Sequence, residues 1–194
     1  MGDFERCRVL VAIAEGGDNF SIVNGKPVLN PKAQYDKGGF TRMGVTWGAL
    51  STAYAQGIVD HNDITRLTKN EVLTIFKTNY WHPSRSDKMA WGLCLIHFDC
   101  AINCGVFGAA KQLQRALNNL GQQSRGQQLS VDGVIGPLTL AAITEASGVE
   151  EAYLKVREAY YRGLVQSTPT QGANLNGWLN RLKRIRKELN INGQ

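Results

Sequence analysis

Apolar residues recur at helical spacing from the start of the chain. Phe4, Cys7, Leu10, Val11 and Ala14 share one face behind Asp3, a good capping residue, and the pattern stops at Gly16-Gly17. A helix over residues 4–14 follows, with Glu15 at its end. Between 18 and 45 the periodicity breaks into short apolar pieces among Asn, Gly, Pro and Asp, the mark of a loop or small β-ribbon. Asn24-Gly25, flanked by Ile22-Val23 and Val28-Leu29, predicts a hairpin turn inside that stretch. Helical signals return at Thr46, which precedes an apolar run to Gly57. They return again at Thr68 and Glu71, a capping box ahead of Val72, Ile75, Phe76 and Tyr80, with Pro83 ending the helix. Residues 87–104 are apolar on nearly every side, which predicts a central buried helix closed by Gly105. A helix from Phe107 to Leu120 comes next, then a Gly/Gln/Ser stretch at 121–130, the one candidate linker. Pro137 opens a short helix, and two longer ones cover 149–166 and 175–190. The fold class is α+β, mainly α, with a small β-ribbon near the N-terminus.

Composition narrows the picture only a little. The 194 residues, 43% hydrophobic and 20% charged, suffice for one good core or two small ones. A net charge of +6 draws the chain toward polyanions such as nucleic acid, anionic lipid or the bacterial wall, without choosing among them. No run of about 18 uncharged apolar residues occurs, so no transmembrane segment is expected. Acids at Asp3 and Glu5 stand where a secretory leader would carry bases, so none is expected. Cys7, Cys94, Cys100 and Cys104 form no C-x-x-C pair and read as free buried thiols. With no ligand spacing at His61, His82 or His97 either, neither a metal nor an organic cofactor is expected.

The chemistry lies in the N-terminal third. Hydrolysing a glycosidic bond requires a carboxylic acid still protonated near neutral pH, and partial burial beside apolar groups favours that state. Glu15 follows Val11-Ala12-Ile13-Ala14 and precedes Gly16 and Gly17, which leave the backbone open to a bulky ligand. Taken alone, it also reads as a solvent-facing glutamate beside a glycine cap. Downstream, Asp36 and Thr41 supply a carboxylate and a hydroxyl that suit an inverting hydrolase, in which a second group about 6.5–9.5 Å from the acid activates water. Taken alone, Asp36 before Lys37-Gly38-Gly39 also reads as a turn.

The segment Ala14-Glu15-Gly16-Gly17, with Asp36-Lys37-Gly38-Gly39-Phe40-Thr41-Arg42-Met43-Gly44-Val45-Thr46, resembles the E-G-G and D-P-G-G-x-T-x-x-G-I-T elements of glycoside hydrolase family 108. Tyr80-Trp81-His82-Pro83 resembles its Y-W-x-P, and Phe98 through Gly105 its F-D-x-A-x-N-x-G. Gln112 through Leu117, Val131 through Pro137 and Gly177-Trp178-Leu179-Asn180 resemble its C-terminal half. The resemblance implies a lysozyme-like N-acetylmuramidase of the kind found in phage endolysins and secretion activators, with Glu15 as catalytic acid. More loosely, Glu15, Asp36 and Thr41 are similar to the Glu, Asp and Thr of phage-type lysozymes, although the interval from Glu15 to Asp36 is longer here. Asp18 departs from the family, many members carrying an aromatic residue there, and residues 21–27 look inserted.

Expected substrate contacts are Gly16, Gly17, Tyr35, Gly39, Trp81, Asp99 and Asn103. Trp47, Tyr80 and Phe107 are assigned to the core. Asp99 and Asn103 lie at i, i+4 on an apolar helix, where they either line the cleft floor or tie the helix to its surroundings. Leu129 through Thr139 resembles the D-G-x-x-G-P-x-T repeat of peptidoglycan-binding domains, and it also reads as a structural turn feeding a helix. The basic run Arg181 through Lys187 reads as a solvated helix face that also suits an acidic wall polymer.

The expectations are therefore a muramidase region at 1–105 and a peptidoglycan-binding-like helical region at 106–194, packed as one lysozyme-like unit. The partner is bacterial peptidoglycan. The resemblance implies synthesis in the bacterial cytoplasm and action at the periplasm or wall, reached with a holin or another export system. Two alternatives stay open, a lytic transglycosylase and a non-catalytic wall-binding or secretion-associated module. Nucleic acid is not expected as a partner, because the bases are dispersed and no recognised motif accompanies them.

Overall fold

The computed structural model describes residues 3–15, 18–24, 26–30, 39–121, 123–124 and 127–191, without the side chains of 11–15, 123–124 and 127. The chain forms two compact units that divide at Pro83–Ser84.

In the first unit the N-terminal apolar stripe becomes α1 (Asp3–Glu15), with Phe4 and Cys7 buried. The broken segment becomes two antiparallel ribbons. One pairs β1 (Phe20–Val23) with β2 (Lys26–Leu29), and the other pairs β3 (Thr41–Arg42) with β4 (Val45–Thr46). Asn24 has φ 50° at the first turn, a left-handed conformation that Asn tolerates. Between Arg42 and Val45, Met43 at φ 50° and Gly44 at φ 84° give positive φ at both central positions. That turn matches the twist of its strands, and glycine adopts it without Cβ strain.

The helix starts follow their caps. The Thr46 hydroxyl accepts the Ala49 N–H at 3.2 Å to open α2 (Trp47–Ala55). Thr68 and Glu71 form the complete capping box of α3 (Lys69–Phe76), with the Glu71 carboxylate accepting the Thr68 N–H at 2.8 Å. The end of this element differs from expectation. It passes at Lys77–Trp81 into a π-helical turn that precedes Pro83. The wider turn re-aims side chains, and Trp81 is buried with its ring edge-on to Phe4 at 5.4 Å.

The second unit is built on α4 (Leu93–Asn119). Its start lies later than the apolar run suggests, because Gly92 at φ 91° cannot continue a helix and Ser86–Lys88 make only a 3-10 turn. Gly105, at φ 75° and ψ 157°, interrupts α4, but the helix resumes directly. The two expected helices are both present and meet at this kink, where the expected division at residue 105 falls. The stretch expected as a linker is tied down: β5 (Gln123–Ser124) pairs with β6 (Gln127–Gln128), and the Asn118 side chain exchanges two hydrogen bonds with the Leu129 backbone at 2.9 Å each. The short α5 (Pro137–Glu145) follows, then α6 (Val149–Ser167) along α4 and α7 (Gly172–Glu188) along α6. α4 is long and apolar enough to span a bilayer by length and composition, and 61% of its most apolar window is buried. That burial forms the core, where Leu95, Ile96, Phe98, Leu113 and Leu117 join Tyr153 and Leu154.

Asp99 and His97 of α4 enter that core with partners. Both oxygens of Asp99 carry a buried arginine, Arg157 at 2.7 Å and Arg181 at 2.8 Å. Arg157 also donates to the Tyr161 hydroxyl at 3.0 Å, which in turn donates to Asn103 at 2.7 Å. His97 is fully buried. Its Nε2 donates to the Ser84 carbonyl at 3.0 Å, so the neutral ring presents Nδ1 to the Tyr153 hydroxyl at 2.9 Å.

Burial, opposed by the Ser84 bond and reinforced by the charge of Arg157, pushes the His97 pKa down from 6.5 to about 4. The unfolded chain thus binds a proton below pH 6.5 that the folded chain refuses. Stability should be full above that pH and fall as pH drops toward 4, by about 2 kcal/mol between pH 7 and pH 5. Urea unfolding at the two pH values measures it, and an unchanged midpoint would contradict the buried neutral ring.

Candidate active site

Asn19 organises the first unit's ribbon region. Its N–H donates to the Thr41 carbonyl at 3.1 Å, and its side-chain oxygen accepts the Thr41 N–H at 2.7 Å. Its side-chain amide donates to the Gly39 carbonyl at 2.9 Å, while its own carbonyl accepts from the Asn30 N–H at 2.9 Å. One residue thus fixes both backbone faces of Thr41 and joins the two ribbons. Asp18 adds a brace, accepting the Met43 N–H at 2.9 Å, with Arg42 Nε 4.0 Å from its carboxylate. The aromatic layer beneath runs from Phe20 to Phe40 (5.6 Å, edge-on) and on to Trp47 (6.2 Å).

The sequence-expected residues fall into three groups. Thr41 and Gly39 lie together at the Asn19 node. Gly39 has φ 68°, and no described residue comes within 4 Å of where a Cβ would point. Glu15 ends α1, and its side chain lies outside the described residues, as do Gly16, Gly17, Tyr35 and Asp36 entirely. Chain length still bounds Glu15. Four residues separate it from Asn19, a step that spans at most ~14 Å.

In the third group, Trp81 and Asp99 serve packing. Trp81 and Asp99 are 6% and 2% exposed, and both Asp99 oxygens are engaged by arginine, which leaves no carboxylate oxygen free for a sugar. Asn103 is exposed and holds Tyr161. Of the aromatics assigned to the core, Tyr80 is partly buried, whereas Trp47 and Phe107 are 47% and 57% exposed. Phe107 lies outside because its ring covers Gly133, where a Cβ would come within 2.4 Å of it. Lys111 sits over the ring, 4.3 Å from its centre.

Asn19 was missed by sequence reasoning. The only signal available was an Asx residue just after two glycines and before an apolar strand.

Among the described residues, Asp60, His61 and Glu71 bring potential metal-ligand atoms within 4.8 Å of one another. The Asp63 N–H donates to His61 Nδ1 at 3.2 Å, so Nε2 carries the ring hydrogen and donates to Glu71 at 3.0 Å. The Thr68 hydroxyl, the largest influence, holds the Glu71 carboxyl below its ordinary value. The hydrogen bonds explain this cluster as the support of a helix start, and an ion would need the lone pair that the Nε2 hydrogen occupies.

In the second unit, the Asp132-Gly133 turn is locked by Gln114. The Gln114 amide donates to Asp132 at 2.8 Å and to the Val134 carbonyl at 3.0 Å, and its oxygen accepts the Gly133 N–H at 2.9 Å. None of the four cysteines is in a disulfide. Cys104 is lowered to about 6, chiefly by a hydrogen bond from Cys100, against its own burial and with Arg157 and Gln112 assisting.

Two family models match the chain. Glycosyl hydrolase 108 matches residues 28–105, and "Predicted Peptidoglycan domain" matches residues 108–183. The solved structure of Brucella abortus SagA is similar, with a TM-score of 0.71 and 29% identity over 95% of this chain and 92% of that one. No individually curated protein matches the chain. The chain is similar to glycosyl hydrolase family 108 over residues 28–105, and its fold is α+β, mainly helical and lysozyme-like. Its second family region is a peptidoglycan domain, and the role the two define lies at peptidoglycan, as a hydrolase or binding protein of the wall.

Proposed function

We propose that this protein is an N-acetylmuramidase that hydrolyses the β-1,4 bond between N-acetylmuramic acid and N-acetylglucosamine, with Glu15 as general acid. The observation that carries this reading is the Asn19 node. It holds Thr41 and Gly39 in fixed backbone positions, and Asn19 itself follows the end of α1 by four positions along the chain, which supports reading Glu15 and Thr41 as parts of one site. The match to Glycosyl hydrolase 108 supports the reaction class. The Glycosyl hydrolase 108 match begins at residue 28 and therefore does not include Glu15. The role of Glu15 rests on its place at the helix end and on the E-G-G motif.

In the mechanism, Glu15 protonates the departing glycosidic oxygen as the bond breaks. Asp36 deprotonates a water on the opposite face of the sugar, and Thr41 orients that water through its hydroxyl. The open backbone at Gly39 admits the sugar ring. Purified peptidoglycan digested with the enzyme should release fragments with reducing N-acetylmuramic acid ends, read by mass spectrometry. Anhydro ends would replace hydrolysis by transglycosylation, and no release at all would leave a wall-binding module.

A further inference from the structure

The buried ion pairs of the second unit leave Arg157 short of negative charge. It is 0% exposed, and the Asp99 carboxylate beside it is divided, one oxygen to Arg157 and the other to Arg181. Its other bonds go to neutral acceptors, the Ile96 carbonyl at 3.3 Å and the Tyr161 hydroxyl at 3.0 Å. Its Nε has no hydrogen-bond partner among the described residues. A guanidinium held in an apolar interior with a shared counter-ion and a bare N–H is costly. A second anion close by would offset that cost.

The titratable groups around it and its neighbours are His97, Cys100 and Cys104 on α4 and Tyr153, Tyr160 and Tyr161 on α6, with Arg181 reaching Asp99 from α7. His97 is neutral, and burial pushes the three tyrosine hydroxyls and the Cys100 thiol up, so none of these supplies the charge. Cys104 differs from them all. It is partly exposed, one turn after Cys100 on the same face of α4 and directly before the Gly105 kink. The Cys100 thiol donates to its sulfur, and the Gln112 amide donates as well. Its own proton is weakly held, because the acceptor it reaches, Asn103 Oδ1 at 3.4 Å, already accepts from the Tyr161 hydroxyl at 2.7 Å. Donors on the sulfur and a cation behind it favour thiolate over thiol.

We propose that Cys104 is a modification site, a thiolate with Cys100 as its hydrogen-bond donor and Arg157 as its counter-ion, which small hydroperoxides oxidise to the sulfenic acid. In that step the sulfur attacks the terminal peroxide oxygen, the O–O bond breaks, and hydroxide or alkoxide leaves. The attacked oxygen keeps its hydrogen, so the sulfur gives up two electrons and the peroxide takes them. A partly covered sulfur admits a reagent the size of hydrogen peroxide and hinders a bulky disulfide. Oxidation replaces the anion by a neutral group and returns Arg157 to its share of Asp99, so the oxidised second unit is the less stable form. The glycan chemistry of the first unit plays no part in this step.

The test uses the full chain, folded and reduced. Iodoacetamide alkylation is followed against pH, with each cysteine located by peptide mass spectrometry. Cys104 should react first, with its half-maximal rate near pH 6, while the buried Cys7, Cys94 and Cys100 stay protected. Cys100→Ala removes the donor and should raise that half-point by about one unit or more, a roughly tenfold slower reaction at pH 5. Cys100→Ser keeps a donor and should react as the wild type does. Treated with hydrogen peroxide and trapped with dimedone, the Cys100→Ser protein should carry one adduct, at Cys104, and Cys104→Ser should carry none. Peroxide treatment should also lower the thermal midpoint of the wild type and leave that of Cys104→Ser in place. A Cys104 half-point at the ordinary thiol value of about 8.5, an unmoved half-point in Cys100→Ala, or peroxide that leaves Cys104 unoxidised would each overturn the site. Should the Cys100 variants fail to fold, the wild-type alkylation profile decides by itself.

Discussion

Replacing Glu15 by Gln is expected to cut glycan hydrolysis by about a hundred- to ten-thousand-fold while leaving the circular dichroism spectrum and thermal midpoint unchanged. The amide keeps the shape of the side chain and removes the proton that the leaving oxygen needs. Glu15 is the last residue of α1, where a single isosteric change disturbs no helical interior. Asp36→Asn should also lose turnover, whereas the loss in Thr41→Ala should be smaller, because Asn19 grips the backbone of Thr41 and not its hydroxyl. Turbidity assays on sacculi with each variant give the ranking, and full activity in Glu15→Gln would end the acid assignment.

The second large effect lies far from the chemistry. Asp99→Asn should destabilise the protein by about 3–5 kcal/mol, because it strips the counter-ion from two arginines that are 0% and 6% exposed. For a chain of this size that is a fall in melting temperature of about 10 °C, measurable by calorimetry. A shift near zero would mean that the arginines find other partners and that the buried ion triad is not what holds α6 and α7 to α4.

The helices were legible in the sequence wherever a local signal sufficed. Thr46, the Thr68–Glu71 box, Pro137 and the stripe behind Asp3 each mark an element by chemistry within one turn, and each element begins there. The hairpin at Asn24 was legible for the same reason. What escaped depends on distance along the chain. Asp99 stood out as a carboxylate on an apolar helix, but its arginines lie 58 and 82 residues away, and nothing near it distinguishes a charge triad from a cleft floor. Asn19 reaches 22 residues to Thr41 through hydrogen bonds that leave no periodic trace. Phe107 shares the helical spacing of a core residue, and only the approach of Gly133 reveals that its ring lies over an outer turn. The start of α4 was placed too early because hydrophobicity continues through 87–92, whereas the backbone at Gly92 does not.

The kink at Gly105 sits where the two family regions meet, since one match ends at residue 105 and the other begins at 108. Sequence inheritance and physical folding thus draw their borders in different places. A fragment beginning after the kink would keep Arg157 and Arg181 and leave Asp99 behind, so two cations would face a hydrophobic interior with nothing to neutralise them. The region that matches the peptidoglycan domain thus borrows its anion from the region that matches Glycosyl hydrolase 108, and neither is electrostatically complete without the other.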